Sequence, residues 1–115
     1  MRELVKVFKA LADKNRLRIL KMLQHKKMCV CELAAALGIT QPSVSRHLSL
    51  MKDAGLVVDS RNGPWIDYDL CEDKVNQYAH IIQPHLRGWI NDDPDVQEDL
   101  KKIKLLSRKE LCGKD

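Results

Sequence analysis

Two cysteines separated by a single residue are the clearest chemical feature of the sequence. Cys29 and Cys31 flank Val30, and the other two cysteines stand at positions 71 and 112. Thiolates are soft ligands that suit soft, thiophilic ions, and one pair cannot fill a tetrahedral site. On a regular helix, residues i and i+2 lie about 200° apart, so a shared ion requires an irregular helix start. A structural or redox role for the pair stays open, and Cys71 suits a buried apolar position.

A run of polar side chains follows the cysteines on a predicted helix. Pro42 fits its first turn, and Val44, Leu48 and Met51 form an apolar stripe that should face the core. The side chains of the remaining faces donate or accept hydrogen bonds and suit contacts with base edges and phosphates. These residues are Thr40 (also the expected N-cap), Gln41, Ser43, Ser45, Arg46 and His47. The solvated face of an ordinary amphipathic helix has a similar composition. The surrounding elements therefore decide between the two interpretations.

Those elements are typical of a winged helix-turn-helix. Periodicity and caps predict four helices first, over 4–12, from Asp13 to about 23, over 31–37 and over 40–55. Two strands follow at 56–58 and 65–70, and then two further helices over 73–90 and 96–106. A short helix, a tight turn at Gly38 and a capped helix form the helix-turn-helix. The hairpin around Asn62-Gly63 forms the wing and places Arg61 near its tip. The predicted fold class is mainly α with a β-hairpin wing (α+β), a dimeric winged helix-turn-helix.

Size and charge agree with a small DNA-binding protein. The 115 residues predict a DNA-binding and dimerisation domain over 1–92, followed by a C-terminal helix and polar tail over 93–115. The net charge is +4, and most acidic residues lie in the second half, so the basic first half favours a polyanionic partner. No apolar run reaches membrane-spanning length, which predicts a cytoplasmic protein without membrane contact. The absence of a phosphate loop or nucleophile–base constellation argues against an enzyme.

Two segments resemble the ArsR/SmtB family of metal-sensing repressors. They are Phe8–Leu20 (FKALADKNRLRIL) and Thr40–Leu48 (TQPSVSRHL), within a resemblance that covers roughly residues 4–90. The resemblance implies a homodimer formed through the first and the long C-terminal helices, bound to double-stranded, inverted-repeat operator DNA. It also implies release from that DNA when an inducer binds. Cys29–Leu33 (CVCEL) resembles the Cys-Val-Cys-Asp-Leu element with which arsenical resistance repressors bind arsenite or antimonite.

The inducer site departs from the arsenical pattern at one position. Many arsenical repressors carry a third cysteine where this sequence has Ala34. Trivalent arsenic prefers three sulfurs, so Cys112, in cis or across the dimer, or a solvent or buffer thiol is expected to complete the metal site of Cys29 and Cys31. A cadmium, lead or zinc sensor and a thiol redox sensor remain alternatives. His80 and His85 point about 140° apart on a helix and are better explained as structural histidines.

Overall fold

The computed structural model describes residues 1–106 and 111. The helices and strands of that part are α1 (Arg2–Leu11), α2 (Lys14–Leu23), β1 (Met28–Cys29), α3 (Val30–Leu37), α4 (Gln41–Asp53), β2 (Val57–Asn62), β3 (Trp65–Leu70), α5 (Gln77–Arg87) and α6 (Pro94–Ile103). This order confirms the predicted helix-turn-helix followed by a hairpin. No helix of the described residues is both long and apolar enough to cross a membrane.

The predicted helix caps form as expected. Asp13 accepts a hydrogen bond from the backbone N–H of Arg16 at 3.1 Å, and Thr40 accepts one from that of Ser43 at 3.4 Å. Such bonds satisfy backbone donors that a helix start leaves unpaired. Gly38 ends α3 with a φ of +71°, a left-handed conformation that glycine adopts without steric cost. These local signals position the turn between α3 and α4.

The sheet contains one strand more than the sequence indicated. It is antiparallel with the order β1-β3-β2, and β1 pairs Met28 with Tyr68 and Cys29 with Asp67. A strand of two residues is too short to show an alternating pattern, so its pairing depends on the distant β3. The hairpin turn is also shifted by one residue. Because Asn62 pairs with Trp65, the turn is centred on Gly63 and Pro64, with Gly63 at φ +61°.

The core lies between the helices and the inner face of the sheet. The stripe predicted on α4, namely Val44, Leu48 and Met51, is fully buried, so the opposite face of α4 points outward. The helix predicted over 73–90 is shorter than expected. It begins at Gln77 because the Asn76 side chain accepts the backbone N–H groups of Tyr78 and Ala79, at 2.9 and 3.3 Å. The helix α6 packs against α2 and α3, and Ile103 at its end joins the core.

Candidate nucleic-acid interface and cysteine cleft

The exposed side of α4 carries most of the predicted DNA-contacting side chains. Thr40, Gln41, Ser45 and Arg46 are exposed, and Ser43 is half-buried beside them. We call these five residues the reading face. Ser43 Oγ accepts hydrogen bonds from Arg46 Nη2 at 3.1 Å and from Thr40 Oγ1 at 2.9 Å. The guanidinium of Arg46 is thereby held at the first turn of α4, with donors left for an external acceptor.

His47 lies in a different environment from the reading face. It is half-buried, and its Nδ1 atom is 3.1 Å from Arg16 Nη1. An arginine only donates, so Nδ1 accepts and Nε2 carries the proton. Arg16 also donates to the carbonyl oxygens of Ala10 at 2.8 Å and Lys9 at 3.0 Å. His47 therefore braces α4 against α1 and α2, a contact that spacing along one helix does not predict.

The contacts of Arg16 also change the pKa of Asp13. Burial alone would raise its pKa, but the hydrogen bond from the backbone N–H of Arg16 and the positive charge of the Arg16 side chain outweigh burial. The pKa of Asp13 is therefore lowered, and the carboxylate stays ionised where it caps α2.

Arg61 lies on the wing, as predicted. It is exposed near the end of β2, opposite Ile66 of β3. The base of the wing is tied to α4 by the ion pair between Lys52 Nζ and Asp59 Oδ2 at 3.0 Å. Arg61 is thus exposed on a wing whose base is joined to the helix that carries the reading face.

The two cysteines lie at an interrupted helix start. Cys29 has extended backbone angles, φ −92° and ψ 170°, and caps α3, whereas Cys31 is the second residue of the helix. The irregular start required for a shared ion is therefore present. Cys29 is 3% exposed and Cys31 is half-buried. Both line a cleft of about 360 Å³ together with Val30, Gln41, Pro64, Trp65, Ile66 and Leu111.

This cleft joins three elements that the sequence separates. Gln41 is the first residue of α4, and Trp65 begins the second wing strand. Trp65 was not among the predicted site residues, and its place beside the cysteines was not predicted. The pairing of β1 with β3 brings Trp65 to the cysteines. Because β1 has only two residues, it is too short to show a strand pattern in the sequence. A group bound between Cys29 and Cys31 would therefore lie in a cleft shared with α4 and the wing.

The backbone at Cys29 is held from two sides. Glu32 Oε1 accepts its N–H at 3.0 Å, and Lys26 Nζ lies 4.0 Å from Glu32 Oε2. Across the sheet Cys29 faces Asp67, whose Oδ2 accepts Asn62 Nδ2 at 2.9 Å within the wing. Backbone pairing thus joins the cysteine directly to the second strand of the wing.

The remaining predicted ligand, Cys112, lies outside the described residues. Among residues 1–106 and 111, no group of three His, Cys, Asp or Glu side chains is arranged to hold a metal ion. Leu111, the residue before Cys112 in the chain, lines the cysteine cleft. Cys71 is buried, and its Sγ donates to the carbonyl oxygen of Asp73 at 3.4 Å.

A broad apolar surface is formed by residues of α1 and α5 and by Trp89. Phe8 of α1, Ile81 of α5 and Trp89 are 57%, 59% and 50% exposed. With Leu4, Tyr78 and Ile82 they line a shallow groove between α1 and α5. Contiguous exposed apolar surface of this kind marks an interaction site in soluble proteins.

Similar proteins share this architecture and parts of the sequence. The family model described as bacterial regulatory protein, arsR family, matches residues 13–58. The arsenical resistance operon repressor of Escherichia coli is 37% identical over 86 residues, 74% of this chain and 63% of that protein. The chain thus spans less than two thirds of that relative. The arsenical resistance operon repressor of Bacillus subtilis is 40% identical over 77 residues, 66% of this chain and 73% of that protein.

A solved structure extends the likeness to the fold. The homodimeric winged helix-turn-helix DNA-binding domain of Mb0332 from Mycobacterium bovis has a TM-score of 0.62 at 27% identity, covering 81% of this chain and 86% of that one. The helix-turn-helix, the hairpin wing and the sequence matches agree. The chain belongs to the ArsR family of bacterial regulatory proteins.

Proposed function

We propose that the protein is a transcriptional repressor that binds operator DNA as a homodimer and releases it when arsenite or antimonite binds Cys29 and Cys31. One observation carries this proposal: the cleft that contains both cysteines also contains Gln41 of the reading helix and Trp65 of the wing. An inducer bound there would contact the two elements that hold DNA in winged helix-turn-helix proteins. Such contacts are what a ligand needs to favour one conformation over another.

The DNA-binding part of the proposal rests on the exposure and chemistry of α4. A single helix fits the major groove, where arginine pairs with guanine and glutamine with adenine. Arg46 and Gln41 lie on the exposed face of α4, with Ser43, Ser45 and Thr40 beside them for phosphate contacts. His47 is proposed to contribute an Nε2–H donor at the edge of the same surface, while Arg16 fixes its ring. Arg61 would add a contact from the wing.

The homodimer is proposed to form through the apolar groove of α1 and α5. A second copy is the expected occupant because the similar Mycobacterium bovis domain is homodimeric. Two-fold symmetry would set the paired α4 helices about 34 Å apart, on successive major grooves.

Phe8→Lys tests this interface. Phe8 is more than half exposed in the protomer, so the substitution spares the core but places a charge in the interface. We expect the dimer dissociation constant, measured by sedimentation equilibrium, to rise at least about tenfold, from lost apolar burial. Leu50→Lys, at an exposed position on α4, serves as the control with an unchanged constant. A wild-type monomer, or equal constants for wild type and Phe8→Lys, would contradict the interface.

The metalloid part of the proposal rests on the donor set. Two sulfurs face one cleft, and thiolate is the preferred donor of thiophilic ions. Leu111 lines the same cleft, so we propose that Cys112, the next residue, supplies the third sulfur. Only reduced cysteines can bind, because the thiolate is the ligand.

The proposal is tested by titrating a fluorescent operator duplex complexed with the full-length, reduced protein. We expect arsenite and antimonite to release the DNA at micromolar levels and cadmium, lead and zinc to do so less effectively. Release by cadmium or lead alone would contradict the metalloid assignment and favour the alternative metal sensor. Retention of the DNA with every ion would contradict inducer binding altogether.

One second candidate is a thiol redox sensor on the same fold, favoured by the two cysteines that line one cleft. Oxidation would join two thiols and pass two electrons and two protons to an added oxidant. In the same assay, release by diamide without any metalloid and recovery of DNA binding with dithiothreitol would support this candidate. An operator complex unaffected by diamide would contradict it.

A further inference from the structure

The guanidinium of Arg16, in the first turn of α2, binds two other helices at once. Its Nε atom donates to the carbonyl oxygen of Ala10 at 2.8 Å, and its Nη2 atom donates to that of Lys9 at 3.0 Å. Both carbonyls belong to the last turn of α1, where a helix leaves carbonyl oxygens without an intrahelical partner. The third nitrogen, Nη1, lies 3.1 Å from Nδ1 of His47 on α4. The rigid, planar guanidinium therefore fixes the end of α1 relative to the helix that carries the reading face.

The carbonyls held by Arg16 are adjacent to the proposed dimer surface. Phe8, which directly precedes Lys9, is 57% exposed and lines the apolar groove of α1 and α5. Because Arg16 binds the backbone immediately after Phe8, the placement of Phe8 at the interface depends on the same guanidinium that contacts His47. Arg16 thus joins the dimer surface to the reading helix within each protomer.

A second side chain of α2 holds the other helix of the dimer surface. Lys21 is 2% exposed, and its Nζ atom donates to the carbonyl oxygens of Leu86 at 2.8 Å and Arg87 at 3.4 Å. These two residues end α5, and they stand in the sequence between His85 and Trp89, which line the apolar groove. A cation is favoured at this end of a helix because the helix dipole is negative there. Helix α2 therefore binds α4 and the ends of both helices that line the groove.

We infer that α2 sets the separation and orientation of the two reading helices in the dimer, with Arg16 and Lys21 as positioning residues. The inference rests on the proposed homodimer and its operator binding, and it assigns α2 a role in matching the geometry of the operator. In a symmetric dimer the two α4 helices are related to each other through the interface. Movement between the interface and α4 in each protomer therefore changes their spacing, and both half-sites can be bound at once only when that spacing fits the DNA.

The test uses two fluorescent duplexes and the full-length, reduced protein, at concentrations where sedimentation equilibrium shows a dimer. One duplex is selected by wild type from a random-sequence pool and contains both half-sites, and the other contains one half-site. The square of the half-site dissociation constant, divided by the dissociation constant of the whole duplex, gives the effective concentration of the second half-site. Loss of one DNA contact per reading helix cancels in this quotient. A loosened connection between the dimer surface and α4 lowers it.

Arg16→Lys is expected to lower the effective concentration about three- to tenfold, because one ammonium group cannot replace three guanidinium nitrogens that bind different partners. Arg18→Lys is the matched control. Arg18 lies on the same helix with a similarly buried side chain, 18% exposed against 13% for Arg16, but it donates to Asp99 of α6 at 2.8 and 2.7 Å. This control should leave the effective concentration unchanged, although it removes a comparable guanidinium contact.

Lys21→Met guards against misfolding of Arg16→Lys. Methionine fills the space of the lysine stem without a buried charge, and it removes the bond to the end of α5. We expect the effective concentration to fall by at least about twofold. An unchanged value in Lys21→Met, or in a folded Arg16→Lys, would overturn the inference, as would an equal fall in Arg18→Lys. Failure of wild type to prefer the whole duplex over the half-site duplex would instead contradict the proposed function, so the two failures are distinguishable.

Discussion

Replacing Cys29 and Cys31 together by serine is expected to leave operator binding intact and to abolish release by arsenite. Serine keeps the size of cysteine but offers a hard oxygen in place of a soft sulfur. If the inducer weakens operator affinity by the factor typical of allosteric coupling, about 5- to 150-fold, the double variant should show no weakening. The measurement is operator anisotropy across an arsenite titration, with reductant present throughout.

The structure offers a matched control for this experiment. Cys71 is buried like Cys29, but it lies outside the cleft, at the end of β3. Its Sγ donates to a carbonyl oxygen, and a serine hydroxyl at this position can do the same. Cys71→Ser should therefore retain release by arsenite. A double variant of Cys29 and Cys31 released at the wild-type arsenite concentration would contradict the cysteine site.

Trp65 provides a second readout of the same event. It lines the cleft with both cysteines, whereas the other tryptophan, Trp89, lies on the apolar surface of α1 and α5. In a Trp89→Phe background, arsenite should change the fluorescence of Trp65 in protein with both cysteines and leave it unchanged in the serine double variant. Inducer binding can thus be followed without DNA, separately from operator release.

Arg46→Ala is expected to raise the operator dissociation constant about 5- to 150-fold, the range corresponding to one lost arginine–base contact. Arg46 is exposed on the reading face, and its guanidinium donates one hydrogen bond to Ser43 Oγ. Its loss should therefore weaken DNA binding without unfolding the chain. Anisotropy with the cognate operator and with a random duplex, at several salt concentrations, measures the effect.

Arg46→Lys separates the two contacts available to Arg46. A guanine contact needs the two-pronged guanidinium, so lysine would not restore cognate affinity, whereas a phosphate contact tolerates lysine. A phosphate contact also predicts a uniform loss across sequences and a salt slope smaller by about one in Arg46→Ala. Arg61→Ala on the wing serves as a comparison and should have a smaller effect. An unchanged operator dissociation constant in Arg46→Ala would contradict the assignment of α4 as the helix that reads the DNA sequence.

Much of the helix-turn-helix could be predicted because its signals are local. The caps at Asp13 and Thr40 bond to residues three positions away, and Gly38 ends α3 through its own backbone angle. The apolar stripe of α4 follows from helical periodicity alone. The cysteine pair and the exposed arginine of α4 were visible for the same reason, since residue type and spacing within one element specify them.

Contacts between distant residues required the tertiary structure. The strand β1 is two residues long and exists through its pairing with β3, nearly forty positions away. The same pairing brings Trp65 to the cysteines, and no local pattern marks it. The start of α5 also differs from expectation. The Asn76 side chain caps the helix and donates to the carbonyl oxygen of Glu3 at 3.0 Å, and these bonds fix the helix start at Gln77.

The amino-acid sequence by itself determined the family, the order of helices and wing, and the side chains offered to DNA and to a thiophilic ion. The tertiary structure alone decided that the cysteines share a cleft with α4 and the wing, that Arg16 holds His47, and that Arg18 anchors α6 through Asp99. The physical reason is the separation along the chain over which each kind of interaction acts. Capping and periodicity act over a few residues of one element, whereas these contacts join residues 10 to 81 positions apart and form only when the whole chain is packed.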